Sequence, residues 1–200
     1  KKVSKLERPV QSANSPSERQ TLTLQQALDL GLQHHTAGDL VKAESIYQQI
    51  LQTNPNQPEA LHLLGVISHQ NEEYDTAVNR ITKVLSLKPD FPEAHSNLGF
   101  SLQKLGKLDE AVVHYQKAVA INPDYAEAHS NLGVALQKLG QLKEAVTSCC
   151  KALIINPKHP DAYANLGIAY QGLQQFEAST QALQRAFELE PGNANIRSYL

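Results

Sequence analysis

Apolar positions in this chain recur at spacings of 3, 4 and 7, the signature of helices with one buried face, and the pattern itself repeats. Between residues 92 and 125, His95, Leu98, Gly99 and Leu102 form one stripe, and Ala111, Tyr115 and Ala118 form a second. The break between them, Lys104-Leu105-Gly106-Lys107, is short and polar, with a glycine suited to a left-handed helix end. These positions predict a helix, a tight turn and a second helix. The proline that follows stops further helix growth, and the Asp or Asn beside it suits a turn.

The same unit recurs every 34 residues, marked by Pro55, Pro89, Pro123, Pro157 and Pro191. Upstream of each proline stands a Leu-Gly pair: Leu30-Gly31, Leu64-Gly65, Leu98-Gly99, Leu132-Gly133 and Leu166-Gly167. Twelve residues past each glycine is a small residue, Ala43, Ala77, Ala111, Ala145 or Ser179. Four further on is a bulky one, Tyr47, Ile81, Tyr115, Cys149 or Leu183. Glycine inside a helix costs about 1 kcal/mol relative to alanine, so five in register imply helices packed unusually close. A fixed period of this length predicts an all-α solenoid in which each unit buries its apolar face against its neighbours.

These columns resemble the tetratricopeptide repeat over residues 24–193, as five units at 24–57, 58–91, 92–125, 126–159 and 160–193. The family's first-helix aromatic is kept only at Tyr163, with Ala27, Leu61, His95 and His129 in its place elsewhere. The resemblance implies a right-handed α-α superhelix, first helices on the concave face and second helices on the convex back. Residues 1–20 read as a flexible basic lead-in, and 194–200 as the start of a sixth repeat or a capping helix. The count stops mid-unit at Leu200 and the chain has no methionine, so the expectation is a piece of a longer protein.

Charge narrows the partners. Residues 1–20 sum to +3 and the whole chain to −2, so the remaining 180 residues sum to −5. A mildly acidic body lacks the basic stripe that nucleic acid requires. No stretch approaches the roughly 18 apolar residues of a membrane span. Cys149 and Cys150 are adjacent and expected to be free thiols, which suits a reducing, cytoplasmic setting.

The concave columns carry the candidate binding residues. Asn97, Asn131 and Asn165 share one column, Glu93 and Glu127 (with Asp161) precede it, Phe100, Val134 and Ile168 follow it, and Gln103, Gln137 and Gln171 come next. An asparagine amide offers donors and an acceptor that match a peptide backbone. The alternative reading is that each asparagine bonds the neighbouring repeat. The column resembles the asparagine ladder in the repeat arm of O-linked N-acetylglucosamine transferases. In the first two units Asp29 and Leu63 replace it, and Leu28, Leu32, Leu63 and Val66 make a more apolar groove. Repeat domains that clamp a C-terminal carboxylate resemble one another in concave Lys and Arg, absent here apart from Lys104 and Lys138 near the helix ends.

No phosphate loop, nucleophile elbow or pocket-forming carboxylate pair is present, so no catalytic residue is expected. His95 and His129 read as packing residues, and His34, His35, His62 and His69 as hydrogen-bonding groove residues; no metal or cofactor is expected. Cys149 reads as a small buried hydrophobe. The leading expectation is therefore a non-catalytic scaffold holding an extended peptide or partner protein in the groove. A second reading makes the chain the substrate-recruiting arm of a glycosyltransferase. A third makes it a structural array that self-associates through its open end.

Overall fold

The computed structural model describes residues 22–199, so the reading of residues 1–20 as a flexible lead-in lies outside the described residues. Regular structure in this span is α-helix: α1 (Leu24–Thr36), α2 (Leu40–Thr53), α3 (Pro58–Gln70), α4 (Tyr74–Leu87), α5 (Pro92–Lys104), α6 (Leu108–Ile121), α7 (Ala126–Lys138), α8 (Leu142–Ile155), α9 (Pro160–Gly172), α10 (Phe176–Leu189) and the short α11 (Ala194–Arg197). Odd and even helices pair as hairpins, and each even helix also packs on the next odd one. Successive odd helices α5, α7 and α9 touch directly, so the later units present a continuous face of first helices.

Proline acts one residue upstream of itself. Steric clash with the proline ring pushes the preceding residue out of the helical region. Asn54, Lys88, Asn122, Asn156 and Glu190, each just before a register proline, have ψ of 84, 83, 93, 92 and 74°, and each even helix ends there. The hairpin turn has its own rule. The middle residue of its three lies in the left-handed region in every unit: Gly38 (φ 80°), Glu72 (φ 62°), Gly106 (φ 78°), Gly140 (φ 77°) and Gln174 (φ 60°). Glycine fits three of these turns at no steric cost, while Glu72 and Gln174 hold the same shape under strain.

The glycine column is a row of holes. A Cβ on Gly31 would run into the Tyr47 ring, and one on Gly65 would lie 2.7 Å from Ile81, one on Gly133 2.5 Å from Cys149 Sγ, and one on Gly167 2.6 Å from Leu183. Each glycine thus receives the bulky residue sixteen positions later, while the carbonyl of the small-residue column would lie 3.2 Å from a Cβ on Gly99 and 3.3 Å from one on Gly133. Ala43, Ala77, Ala111 and Ala145 are fully buried, as are Tyr47, Ile81, Tyr115 and Cys149. In the fifth unit Ser179 keeps its hydroxyl satisfied by donating to the Gly167 carbonyl at 2.8 Å.

Candidate concave binding groove

Packing of Leu and Gly against the even helices leaves one stripe of each odd helix facing the concave side, at the spacing i, i+4, i+7. In α5 that stripe is Glu93, Asn97 and Phe100; in α7 it is Glu127, Asn131 and Val134; in α9 it is Asp161, Asn165 and Ile168. Between units three and five the stripes enclose a groove of about 680 Å³ that brings together Phe100, Gln103, Glu127, Asn131, Val134, Asp161 and Asn165. Glu93, Asn97, Ile168, Gln137 and Gln171 are not among the residues lining that cavity. Glu93 and Gln171 are exposed, and Asn97, Ile168 and Gln137 are half-buried.

The three asparagines are not equivalent. Asn97 donates its amide to His62 Nε2 at 2.9 Å, and Asn165 donates to Ser130 Oγ at 3.2 Å, each reaching back into the preceding unit. At these two positions the amide N–H therefore links repeats. His62 can accept because burial pushes its pKa down to about 4, against the opposing pull of Glu93 and Glu59. The residue 35 positions before Asn131 is Ser96. Among the described residues, no side chain bonds the Asn131 amide.

A lining column escapes the helix periodicity altogether. Phe91, Tyr125 and His159 stand at the N-caps of α5, α7 and α9, two residues past a register proline, and each carries a ring. Tyr125 and His159 line the groove. Phe91 packs on the His62 ring at 4.6 Å. Burial, chiefly, and the Glu127 charge push the Tyr125 phenol up, while its bond to Ser96 opposes them. The signal available in the sequence was this ring-bearing position repeating for three units.

Phe100 forms one wall, edge-on to His69 at 4.2 Å and with the Lys104 ammonium 5.1 Å from its ring. Carboxylates run along the opposite edge. In unit two Glu59 pairs with Lys88 at 3.6 Å, whereas Glu93, Glu127 and Asp161 have no ion-pair partner among the described residues.

The remaining candidates resolve into structural roles. His95 and His129 are buried, and each donates its Nε2–H to the carbonyl of a register proline, Pro89 or Pro123, at 3.0 Å. His95 Nδ1 then accepts from His114 Nδ1–H at 3.0 Å. Burial pushes His114 down to about 4, which keeps this pair neutral. His35 bonds Gln70 at 2.9 Å and His69 lies 3.4 Å from Ser101 Oγ, so the two histidines are engaged separately. Among the described residues no group of three or more His, Cys, Asp or Glu is arranged to hold a metal. Burial pushes the Cys149 thiol up to about 12 and also raises Cys150, the reverse of what a nucleophile requires. No helix among the described residues is long and apolar enough to cross a membrane.

Family models described as tetratricopeptide repeat or TPR repeat match residues 34–99, 102–140, 126–159 and 160–193. The chain belongs to the tetratricopeptide-repeat family. Its architecture is accordingly an α-α superhelical solenoid, and arrays of this family are protein-interaction scaffolds, generally without catalytic activity of their own. Among solved structures, MamA is similar with a TM-score of 0.71 and 28% identity, covering 84% of this chain and 98% of that one. The Pseudomonas aeruginosa PilF structure shares the fold with a TM-score of 0.78 at 18% identity, over 86% of this chain and 79% of that one. YrrB, described as a TPR protein with an unusual peptide-binding site, shares it with a TM-score of 0.69 at 23% identity, over 86% and 89%. No curated protein matches the chain by sequence.

Proposed function

We propose that the groove of units three to five holds an extended peptide segment of a partner protein and reads its backbone through the asparagine column. The observation that carries this reading is Asn131, half-buried on the groove wall with an amide that no neighbouring side chain engages. Its donors and acceptor fit a peptide amide, and the Asn97 and Asn165 oxygens above and below it offer further acceptors. Phe100 and Val134 add apolar contact, and Tyr125 and His159 add polar rings at the entrance.

Selection from a phage-displayed library of random peptides, followed by affinity measurement on the selected sequences, tests the reading. Asn131→Ala should weaken those peptides about tenfold, the effect of one lost hydrogen bond of roughly 1.4 kcal/mol. Helicity and thermal midpoint should not change, because the Asn131 amide ties no repeats together. Asn97→Ala and Asn165→Ala should lower both affinity and stability. Selected peptides that bind the Asn131→Ala chain as tightly as the original would remove the proposal.

A further inference from the structure

Units three and four carry the same cavity one repeat apart, and the chain completes it differently in each. Pro89, His95, His114 and Lys117 line it in unit three; Pro123, His129, Ser148 and Lys151 line it in unit four, where its volume is about 530 Å³. His95 and His129 do the same work in both. Each gives its Nε2–H to the carbonyl of a register proline at 3.0 Å, which leaves Nδ1 as a lone pair in need of a donor. Unit three supplies that donor from within the chain. The His114 ring lies at 27° to the His95 ring with centroids 5.2 Å apart, and its Nδ1–H meets His95 Nδ1 at 3.0 Å. In unit four serine stands at that place, and the Nδ1 of His129 has no hydrogen-bond partner among the described residues. His129 is only 5% exposed, and an acceptor so deeply buried is costly to leave unpaired.

We propose that the unit-four cavity binds a small, neutral, five-membered heterocycle with a ring N–H, seated where unit three has the His114 imidazole and donating to His129 Nδ1. Each property of this ligand has its own source. The tautomer fixed by the Pro123 carbonyl demands a donor. Burial, chiefly, and the Lys151 charge hold the His129 pKa below the usual histidine value, against the pull of that carbonyl, so Nδ1 stays free to accept. The Lys151 ammonium on the same wall disfavours a cationic ring. Val119, Leu132 and Ile155 supply apolar walls, and the shortening from histidine to serine leaves room for a ring of imidazole size. The walls come from α6, α7 and α8, so an occupant ties unit three to unit four. This cavity shares no lining residue with the asparagine groove, and the two readings stand or fall separately.

The test titrates the full, isotope-labelled chain with pyrazole, which is neutral and has one ring N–H, and follows the histidine ring nitrogens by NMR. A ring of five heavy atoms binds weakly, with a Kd on the order of 1 mM, so the titration runs to about tenfold above that. Pyrazole should move the His129 Nδ1 signal saturably and leave His95 Nδ1, which already has its donor, in place. Isoxazole, in which oxygen replaces the N–H at the same size, should bind at least about tenfold more weakly. The thermal midpoint should rise with pyrazole and not with isoxazole. A His129 Nδ1 signal that pyrazole leaves unmoved would overturn the proposal, the nitrogen then being served by water at most. Equal binding of isoxazole, or equal shifts at His95 and His129, would overturn it as well.

Discussion

Gly133→Ala is the sharpest probe of how the repeat is held together. The new Cβ would meet Cys149 Sγ at 2.5 Å and the Ala145 carbonyl oxygen at 3.3 Å. Cys149 is fully buried, and its sulfur is one bond from its own Cβ, so it has no long side chain to swing aside. Relief requires α7 and α8 to separate. Helix propensity alone favours alanine by about 1 kcal/mol, whereas overpacking of this kind costs about 1–3 kcal/mol. The crowding has a backbone oxygen on one side and a short side chain on the other, which places it at the upper end of that range. The expected net loss is about 1–2 kcal/mol, a fall in thermal midpoint of roughly 2–8 °C for a chain this size. Cys149→Ala removes the sulfur and costs about 1 kcal/mol by itself, yet it opens the hole that the Gly133→Ala methyl needs. The double variant should therefore recover at least about 1 kcal/mol relative to the sum of the single changes. Urea titrations of all four proteins by circular dichroism measure this. A Gly133→Ala chain as stable as the original, or two losses that simply add, would refute the idea that each glycine is a hole for the residue sixteen positions on.

The left-handed turn residues predict the opposite sign: Glu72→Gly and Gln174→Gly should each raise stability by about 1 kcal/mol in the same titrations, since both side chains hold φ near +60°. Stability should also fall with acid. His62 has its pKa pushed from 6.5 to about 4, so between those values the unfolded chain binds the proton first and stability is lost as pH drops. At about 1.4 kcal/mol per pH unit this amounts to roughly 3 kcal/mol, and a His62→Gln chain with an unaltered pH profile would exclude it. In unit four the buried Nδ1 of His129 has no partner, and Ser148 stands where unit three has His114. Ser148→His should rebuild the missing donor and add about 1 kcal/mol; a lower melting midpoint would show that the ring does not reach.

What the sequence disclosed divides along a physical line. The proline register disclosed the unit because the restriction on the residue before proline is local, and Asn54 to Glu190 obey it in all five places. The Leu-Gly and alanine columns disclosed the hairpin because helix periodicity settles which residues meet inside it. The asparagines were legible as a column, and a bond to the neighbouring repeat was one of two readings, but the partners were not legible. The partners of Asn97 and Asn165 are 35 residues back, and whether they meet depends on how successive units stack. Phe91, Tyr125 and His159 were invisible to periodicity because a cap residue lies on no helix face. Turn chemistry misled in a smaller way. Gly106 predicts a left-handed turn, but nothing in Glu72 or Gln174 announces that the same turn is kept without glycine.

Repetition also determines how such a groove gains affinity. Each of units three to five contributes a carboxylate, an asparagine and an apolar residue on one helical stripe. Individually these are worth little, because an exposed ion pair contributes about 0.2–1 kcal/mol and a net hydrogen bond about 1 kcal/mol. They combine only if the ligand keeps the repeat's own spacing, since a contact that falls out of phase in one unit stays out of phase in the next. On the proposed reading, specificity therefore lies in periodicity more than in any single residue. On that reading, a library-selected peptide whose contact residues are put out of phase with the repeats should lose most of its affinity while keeping the same charge. Insertion of one glycine at the middle of such a peptide makes that comparison at constant charge. Retained affinity after the insertion would show that the groove responds to net charge alone and that the match in spacing plays no part.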